Sequence, residues 1–210
     1  MMKNSLIIEE YLDHLFPNPH CELNYNNDYE LLIAIMLSAQ TTDKMVNSVT
    51  AILFKKYPTL NDLKNADLAD LESILRPIGF RKKALYVKNI STILCDNYQG
   101  KVPIDRKILE TFPGVGRKTV NVFFSEFCDI PAIAVDTHVN RVSKRLKLAR
   151  EADTIDDVEK KLMKAFKKDV WGKRHLQLVL FGRYYCKAIK PLCSECQLKD
   201  ICREKNKNLW

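Results

Sequence analysis

At 210 residues and a formal net charge of +8, the chain is long enough for one sizeable buried core or two small ones, and its basic balance points to an acidic partner such as nucleic acid. The longest apolar run, Leu31–Leu37, is far too short to span a bilayer, and residues 1–16 lack the basic start and apolar middle of a secretory signal. Six glycines, nearly all at apparent turns, and long helical periods with few alternating segments predict an all-α fold in the cytoplasm, where disulfides are disfavoured and the seven cysteines need another explanation.

The first helix is expected over 5–16, with Ile8, Tyr11, Leu12, Leu15 and Phe16 on one stripe and Pro17 and Pro19 ending it. Residues 28–39 are apolar nearly all round and read as a buried helix. Leu37-Ser38-Ala39-Gln40 then makes a tight joint, and Thr41, Thr42 or Asp43 can cap a helix striped by Met45, Val49, Ile52 and Leu53. Gln40 in that joint reads on its own as turn filler. Two short helices are predicted at 59–65 and 67–75. Pro77 and Gly79 break the chain before Phe80 and Arg81-Lys82-Lys83. Phe80 reads as a core residue or, beside three basic residues, as an apolar wedge for a base stack. Tyr86, Ile90, Ile93 and Leu94 mark the next helical face, Gly100 and Pro103 end it, and a short helix is expected near 104–111.

The stretch 111–136 organises the rest. Phe112-Pro113-Gly114-Val115-Gly116 is too rich in Gly and Pro for a helix interior, and the run Val120, Val122, Phe123, Phe124, Phe127 follows it. A Gly-rich turn feeding a helix N-terminus lets backbone N–H groups approach an anion. Arg117 and Lys118 stand in the first turn, where cations are normally disfavoured, so a phosphate is the natural missing partner. A plain joint between helices would use the same glycines, with Lys118 as a phosphate contact. Val135-Asp136-Thr137-His138 puts a carboxylate where the next helix begins, either as a cap or as a chemical group. That helix runs to about Leu148 with Arg141, Lys144, Arg145 and Lys147. One with Val158, Leu162, Ala165 and Phe166 follows, and the last, 173–186, carries Leu176, Val179, Leu180 and Phe181.

Cys21, Cys95 and Cys128 are scattered and read as ordinary thiols. Cys186, Cys193, Cys196 and Cys202 are not: C-x6-C-x2-C-x5-C gathers four thiols in a reducing compartment and reads as a metal site. Zinc usually takes two close pairs. Here only Cys193 and Cys196 are close, and the wider gaps suit a cubane iron–sulfur cluster. Lys187 and Lys190 make the same loop basic, as a DNA-facing element would be.

These residues resemble endonuclease III, the bifunctional DNA glycosylase family of the helix-hairpin-helix superfamily. The resemblance covers nearly the whole chain. It rests on Leu37-Ser38-Ala39-Gln40 with Thr42-Asp43, on Pro113-Gly114-Val115-Gly116-Arg117-Lys118, on Val135-Asp136-Thr137-His138 with Arg141-Val142, on Gly182-Arg183-Tyr184, and on the cysteine spacing. It implies two α-helical domains with a DNA cleft between them. One is a six-helix domain at about 21–130 with its hairpin near 107–125. The other joins 1–20 to 131–210 and holds a 4Fe–4S cluster on the loop 186–202. It implies Lys118 as nucleophile, Asp136 as essential carboxylate, and the four cysteines as ligands. Gln40 and Phe80 would enter the gap left by an extruded base, and Gly114, Val115, Gly116, Arg117, His138, Arg141, Lys187 and Lys190 would contact DNA. The sequence departs from the family at Phe80, usually leucine, and at Phe181, where His often precedes Gly-Arg.

The implied function is excision of oxidised or reduced pyrimidines from double-stranded DNA, with cleavage of the abasic site by β-elimination, in a cytoplasmic, nucleoid-associated monomer with no membrane association. Two alternatives stay open: a glycosylase of the same fold for a pyrimidine dimer or a mismatch, and a non-catalytic DNA-binding module. Adenine-mismatch enzymes of the superfamily typically lack the hairpin lysine. The binding module leaves Lys118 and Asp136 as coincidence.

Overall fold

The computed structural model describes residues 3–79 and 81–209, so Phe80 lies outside the described residues. Among the described residues the regular structure is helical, with no strand. The α-helices are α1 (Lys3–Leu15), α2 (Asp28–Leu37), α3 (Asp43–Lys56), α4 (Leu60–Asn65), α5 (Leu68–Leu75), α6 (Arg81–Asn97), α7 (Arg106–Leu109), α8 (Arg117–Phe127), α9 (Thr137–Arg145), α10 (Ile155–Ala165) and α11 (Trp171–Tyr184). No helix is long and apolar enough to cross a membrane. The chain forms two compact units, Glu22–Phe123 and Met1–Cys21 with Phe124–Trp210, and the division falls inside α8.

In the unit 22–123, local sequence sets the helix starts. Asn27 caps α2 through Glu30 N at 3.0 Å, and Thr59 forms a capping box with Asp62. From Glu30 to Leu37, α2 is buried on every side. The sequence placed Met45 and Ile52 on the inner stripe of α3, but they are 41% and 58% exposed. The buried face is Val46, Val49, Thr50 and Leu53, and the Thr50 hydroxyl is satisfied by Val46 O at 3.0 Å. Both stripes fit the i, i+3, i+4 template, and packing against α2 and α5 selects the second. In α6 the inner positions are likewise Lys83, Ala84, Val87, Ile90, Ser91 and Leu94 rather than Tyr86 and Ile93.

The other unit is built on one apolar core of α1, α9, α10 and α11. The sequence gives α11 an apolar face, yet the helix also buries Arg174, His175 and Gln177. The two terminal nitrogens of Arg174 are held from α1: Glu9 Oε2 lies at 3.0 Å and Asp13 at 2.8 and 2.9 Å. Gln177 donates to Leu12 O, Asp13 Oδ1 and Phe16 O. Arg174→Met is expected to lower stability by about 3 kcal/mol, the low end for a buried pair because Asp13 stays part-exposed, read by urea denaturation. Arg174 beside Asp13 holds its carboxyl well below the usual carboxylate range. A depressed carboxylate adds stability above its unfolded pKa and loses it as the pH falls toward the folded value. The difference between parent and variant should therefore shrink on acidification below about pH 4.

Candidate functional site

In the unit 22–123 the hairpin turn is closed by Val115 N on Phe112 O at 3.0 Å. Gly114 has φ +76°, and a Cβ there would lie 2.6 Å from the Tyr86 ring, so both conformation and space require glycine. Arg106 of α7 donates to Asn121 of α8 at 2.6 Å and ties the two hairpin helices together. Val115 is buried and serves the core, while Gly114, Gly116 and Arg117 are exposed. Lys118, in the first turn of α8, is exposed and has no hydrogen bond or ion pair among the described residues. Gln40 is exposed with φ +59°, a left-handed conformation that costs a non-glycine residue of order 1–3 kcal/mol.

Within the basic run Lys82 is exposed but Lys83 is not, at 5% exposure. Its ammonium donates to Leu37 O at 2.8 Å, Ala39 O at 2.8 Å and Ile78 O at 3.4 Å. Burial pushes it below the ordinary lysine value. The sequence did carry a signal for this. Lys83 stands at i−4, i−7 and i−11 to Val87, Ile90 and Leu94, on the inner face of α6.

In the other unit Asp136 is the N-cap of α9, with Oδ1 accepting from Val139 N at 2.8 Å. The cap leaves Oδ2 without a hydrogen-bond partner among the described residues. The start of α9 is pressed onto α11 at Gly182, where a Cβ would meet His138 Cβ at 2.7 Å. The glycine of the Gly-Arg-Tyr motif therefore sets how closely the helix carrying Asp136 approaches α11. Arg141, expected at DNA, has its half-buried guanidinium on Gly182 O at 2.8 Å and Cys186 O at 3.1 Å. It clamps the end of α11, where cations are favoured.

Cys186, Cys193, Cys196 and Cys202 line one cavity, together with Arg145, Phe181, Tyr185, Lys199 and Lys207. All are free thiols. Burial pushes the Cys186 and Cys196 thiols up, although a hydrogen bond from Arg145 opposes it at Cys186. Arg145 reaches Cys186 Sγ at 3.5 Å, and Glu204 N reaches Cys202 Sγ at 3.4 Å. N–H donors on sulfur and nearby cations are what a thiolate-bound group of net negative charge calls for. Among the described residues no three His, Cys, Asp or Glu side chains are grouped to hold a single metal ion. Phe181 is buried and stacks on Tyr185 at 5.9 Å between ring centroids, as part of the cavity wall.

A family model described as HhH-GPD superfamily base excision DNA repair protein matches residues 33–168. Endonuclease III of Bacillus subtilis is 46% identical over 210 residues, covering 98% of this chain and 96% of its own. The chain belongs to the endonuclease III family. Two solved structures agree with that membership at 47% identity and 97% coverage of both chains. A non-covalent endonuclease III–DNA complex has a TM-score of 0.92, and a trapped endonuclease III–DNA covalent intermediate, the estranged-adenine complex, has 0.91. The family pattern thus falls on real local geometry here: a glycine-built hairpin turn, a lysine one residue into its second helix, a capping aspartate, and four thiols around one cavity. Lys187 and Lys190 are exposed on the loop between the first two thiols, and Lys190 has φ +50°.

Proposed function

We infer that the protein is a base-excision-repair DNA glycosylase that removes damaged pyrimidines from duplex DNA and cleaves the resulting abasic site. The observation that carries this reading is Lys118: an exposed amine without a partner, in the first turn of the helix that follows the glycine hairpin. A duplex hides the glycosidic bond, so the damaged nucleotide must leave the stack at a cost of a few kcal/mol. The hairpin amides of Gly114 and Gly116, with Arg117, would hold phosphates. His138, Lys187 and Lys190 would contact the DNA backbone, with Gln40 and Phe80 in the gap left by the base.

The deprotonated Nζ of Lys118 attacks the sugar C1′, and the C1′–N bond breaks with the electron pair leaving on the base. Loss of the Nζ proton and opening of the sugar ring leave an imine between Lys118 and C1′. That imine acidifies the C2′ proton. Its removal expels the 3′ phosphate by β-elimination. Asp136, whose Oδ2 the cap leaves open, would move protons at Lys118 or stabilise the cationic sugar.

The four cysteines would hold a 4Fe–4S cluster, which when bound supplies the cross-links of the 186–202 loop. Arg145 and the Glu204 amide then balance the charge on its sulfur ligands. That loop in turn presents Lys187 and Lys190.

Borohydride trapping on three duplexes tests the function: one with thymine glycol, one with an abasic site, one with an A·G mismatch. Adducts on the first two alone are expected. An adduct on the abasic duplex alone would keep the Lys118 chemistry and move the base specificity elsewhere. No adduct from iron-loaded protein that still binds DNA would leave a binding module. For Asp136, substitution by Asn keeps the cap, since the two residues cap equally well. Asp136→Asn should therefore leave the thermal midpoint in place while the excision rate falls by about 10²–10⁴-fold. An unchanged rate would reduce Asp136 to a helix cap.

A further inference from the structure

Three turns of the unit 22–123 meet at the start of α6. Met36, Ala39, Gln40, Ile78, Gly79 and Gly114 line one cavity of about 360 Å³, with Lys83 and Tyr86 as its α6 wall. Lys83 is the polar tie among them. An ammonium has three N–H donors, and Lys83 has three carbonyl acceptors, Leu37, Ala39 and Ile78. All three donors are turned onto the protein's own backbone, whereas Lys118 is exposed and has no such acceptors among the described residues.

The acceptors matter more than their number. The Ala39 carbonyl belongs to the peptide plane that contains Gln40 N, and a peptide plane is rigid. Fixing Ala39 O thus fixes the entry to Gln40, whose φ of +59° needs external support. Ile78 O lies in the plane that contains Gly79 N, and Gly79, with φ +79°, immediately precedes Phe80. Leu37 O and Ala39 O lie at the C-terminal end of α2, where the dipole favours a cation. One buried charge therefore grips the residues directly before Gln40 and before Gly79-Phe80.

We propose that Lys83 is a positioning residue for DNA engagement, which locks the 37–40 turn to the 76–79 turn so that Gln40 and the residue after Gly79 enter the duplex as one unit. This rests on the gap-filling reading of those two residues. A merely structural ammonium would stabilise the fold and do nothing selective to duplex substrates.

The test uses full-length, iron-loaded protein as Lys83→Met and Lys83→Arg, on a thymine-glycol duplex and on a single-stranded abasic oligonucleotide, which has no stack to fill. For Lys83→Met, kcat on the duplex should fall by about 10²-fold, the effect of a displacement near 1 Å at a reacting geometry, with a smaller change in KM. Borohydride trapping on the single strand should stay at the parent's rate, and Lys83→Arg should restore part of kcat by donating to the same carbonyls. Equal losses on both substrates, an unchanged duplex kcat, or failure of both variants to fold would each overturn the proposal in favour of a stabilising charge. If the parent itself forms no adduct, the Lys118 reading fails, and Lys83 is judged by binding alone. The parent should then raise the fluorescence of 2-aminopurine placed opposite an abasic site and Lys83→Met should not; an equal rise in both would overturn it.

Discussion

Lys118→Gln is expected to abolish borohydride trapping and to lower strand cleavage by about 10⁴-fold or more, as loss of a covalent nucleophile does. Affinity for a lesion duplex should change by less than about 1 kcal/mol, because a single exposed cation contributes little to binding. The separation follows from the placement of the side chain. Lys118 is exposed and supports no core contact or ion pair among the described residues, so its removal costs the fold almost nothing. If Lys118 were only a phosphate contact, Lys118→Arg would preserve activity, since Arg keeps the charge. A guanidinium stays protonated and is no nucleophile, so the chemistry predicts that Lys118→Arg is as inactive as Lys118→Gln. Strand cleavage and trapping at the parent's rate in either variant would sink the assignment.

What could be read in the sequence was what depends on neighbours along the chain. The buried helix at 28–37, the Asp136 cap and the glycine hairpin each follow from a few adjacent residues. So does the gathering of four thiols, because seventeen residues cannot carry them far apart. What escaped was settled by partners distant in sequence. The inner face of α3 depends on which neighbour it meets, and two stripes were available to it. Arg174, on which the local sequence is silent, is the buried partner of Glu9 and Asp13, 165 and 161 residues away. Lys83 belongs to the basic run beside Phe80, and two of its acceptors are 44 and 46 residues upstream. Arg141 likewise turned to the carbonyls of α11. A charge count gives the field around the molecule but not which cations generate it. Only burial separates those that stay at the surface from those that hold the structure together.

Cys196→Ser should have the second large effect, on folding before chemistry. From Tyr185 to Leu209 the chain has no helix or strand. It buries only Pro191 and Leu198, and its internal ties are a few turn bonds, such as Leu192 N to Tyr185 O and Cys202 N to Leu198 O. Ordering each of those residues costs about 1–2 kcal/mol of backbone entropy, and burying one leucine returns about 1.5–3 kcal/mol. The segment packs only a few side chains, such as Leu198, Tyr185 and Ile201, against the unit's core, so the cluster proposed on the four cysteines would be its main anchor. With one ligand lost, iron content and the visible absorbance near 400 nm characteristic of iron–sulfur proteins should fall together. Protease cleavage should then begin within 186–202, and lesion-duplex affinity should drop as Lys187 and Lys190 lose their place. Helix content should fall little at first, because α1, α9, α10 and α11 share a core of their own. A Cys196→Ser protein that contains no iron, yet resists proteolysis and excises at the parent's rate, would show that packing alone holds the loop.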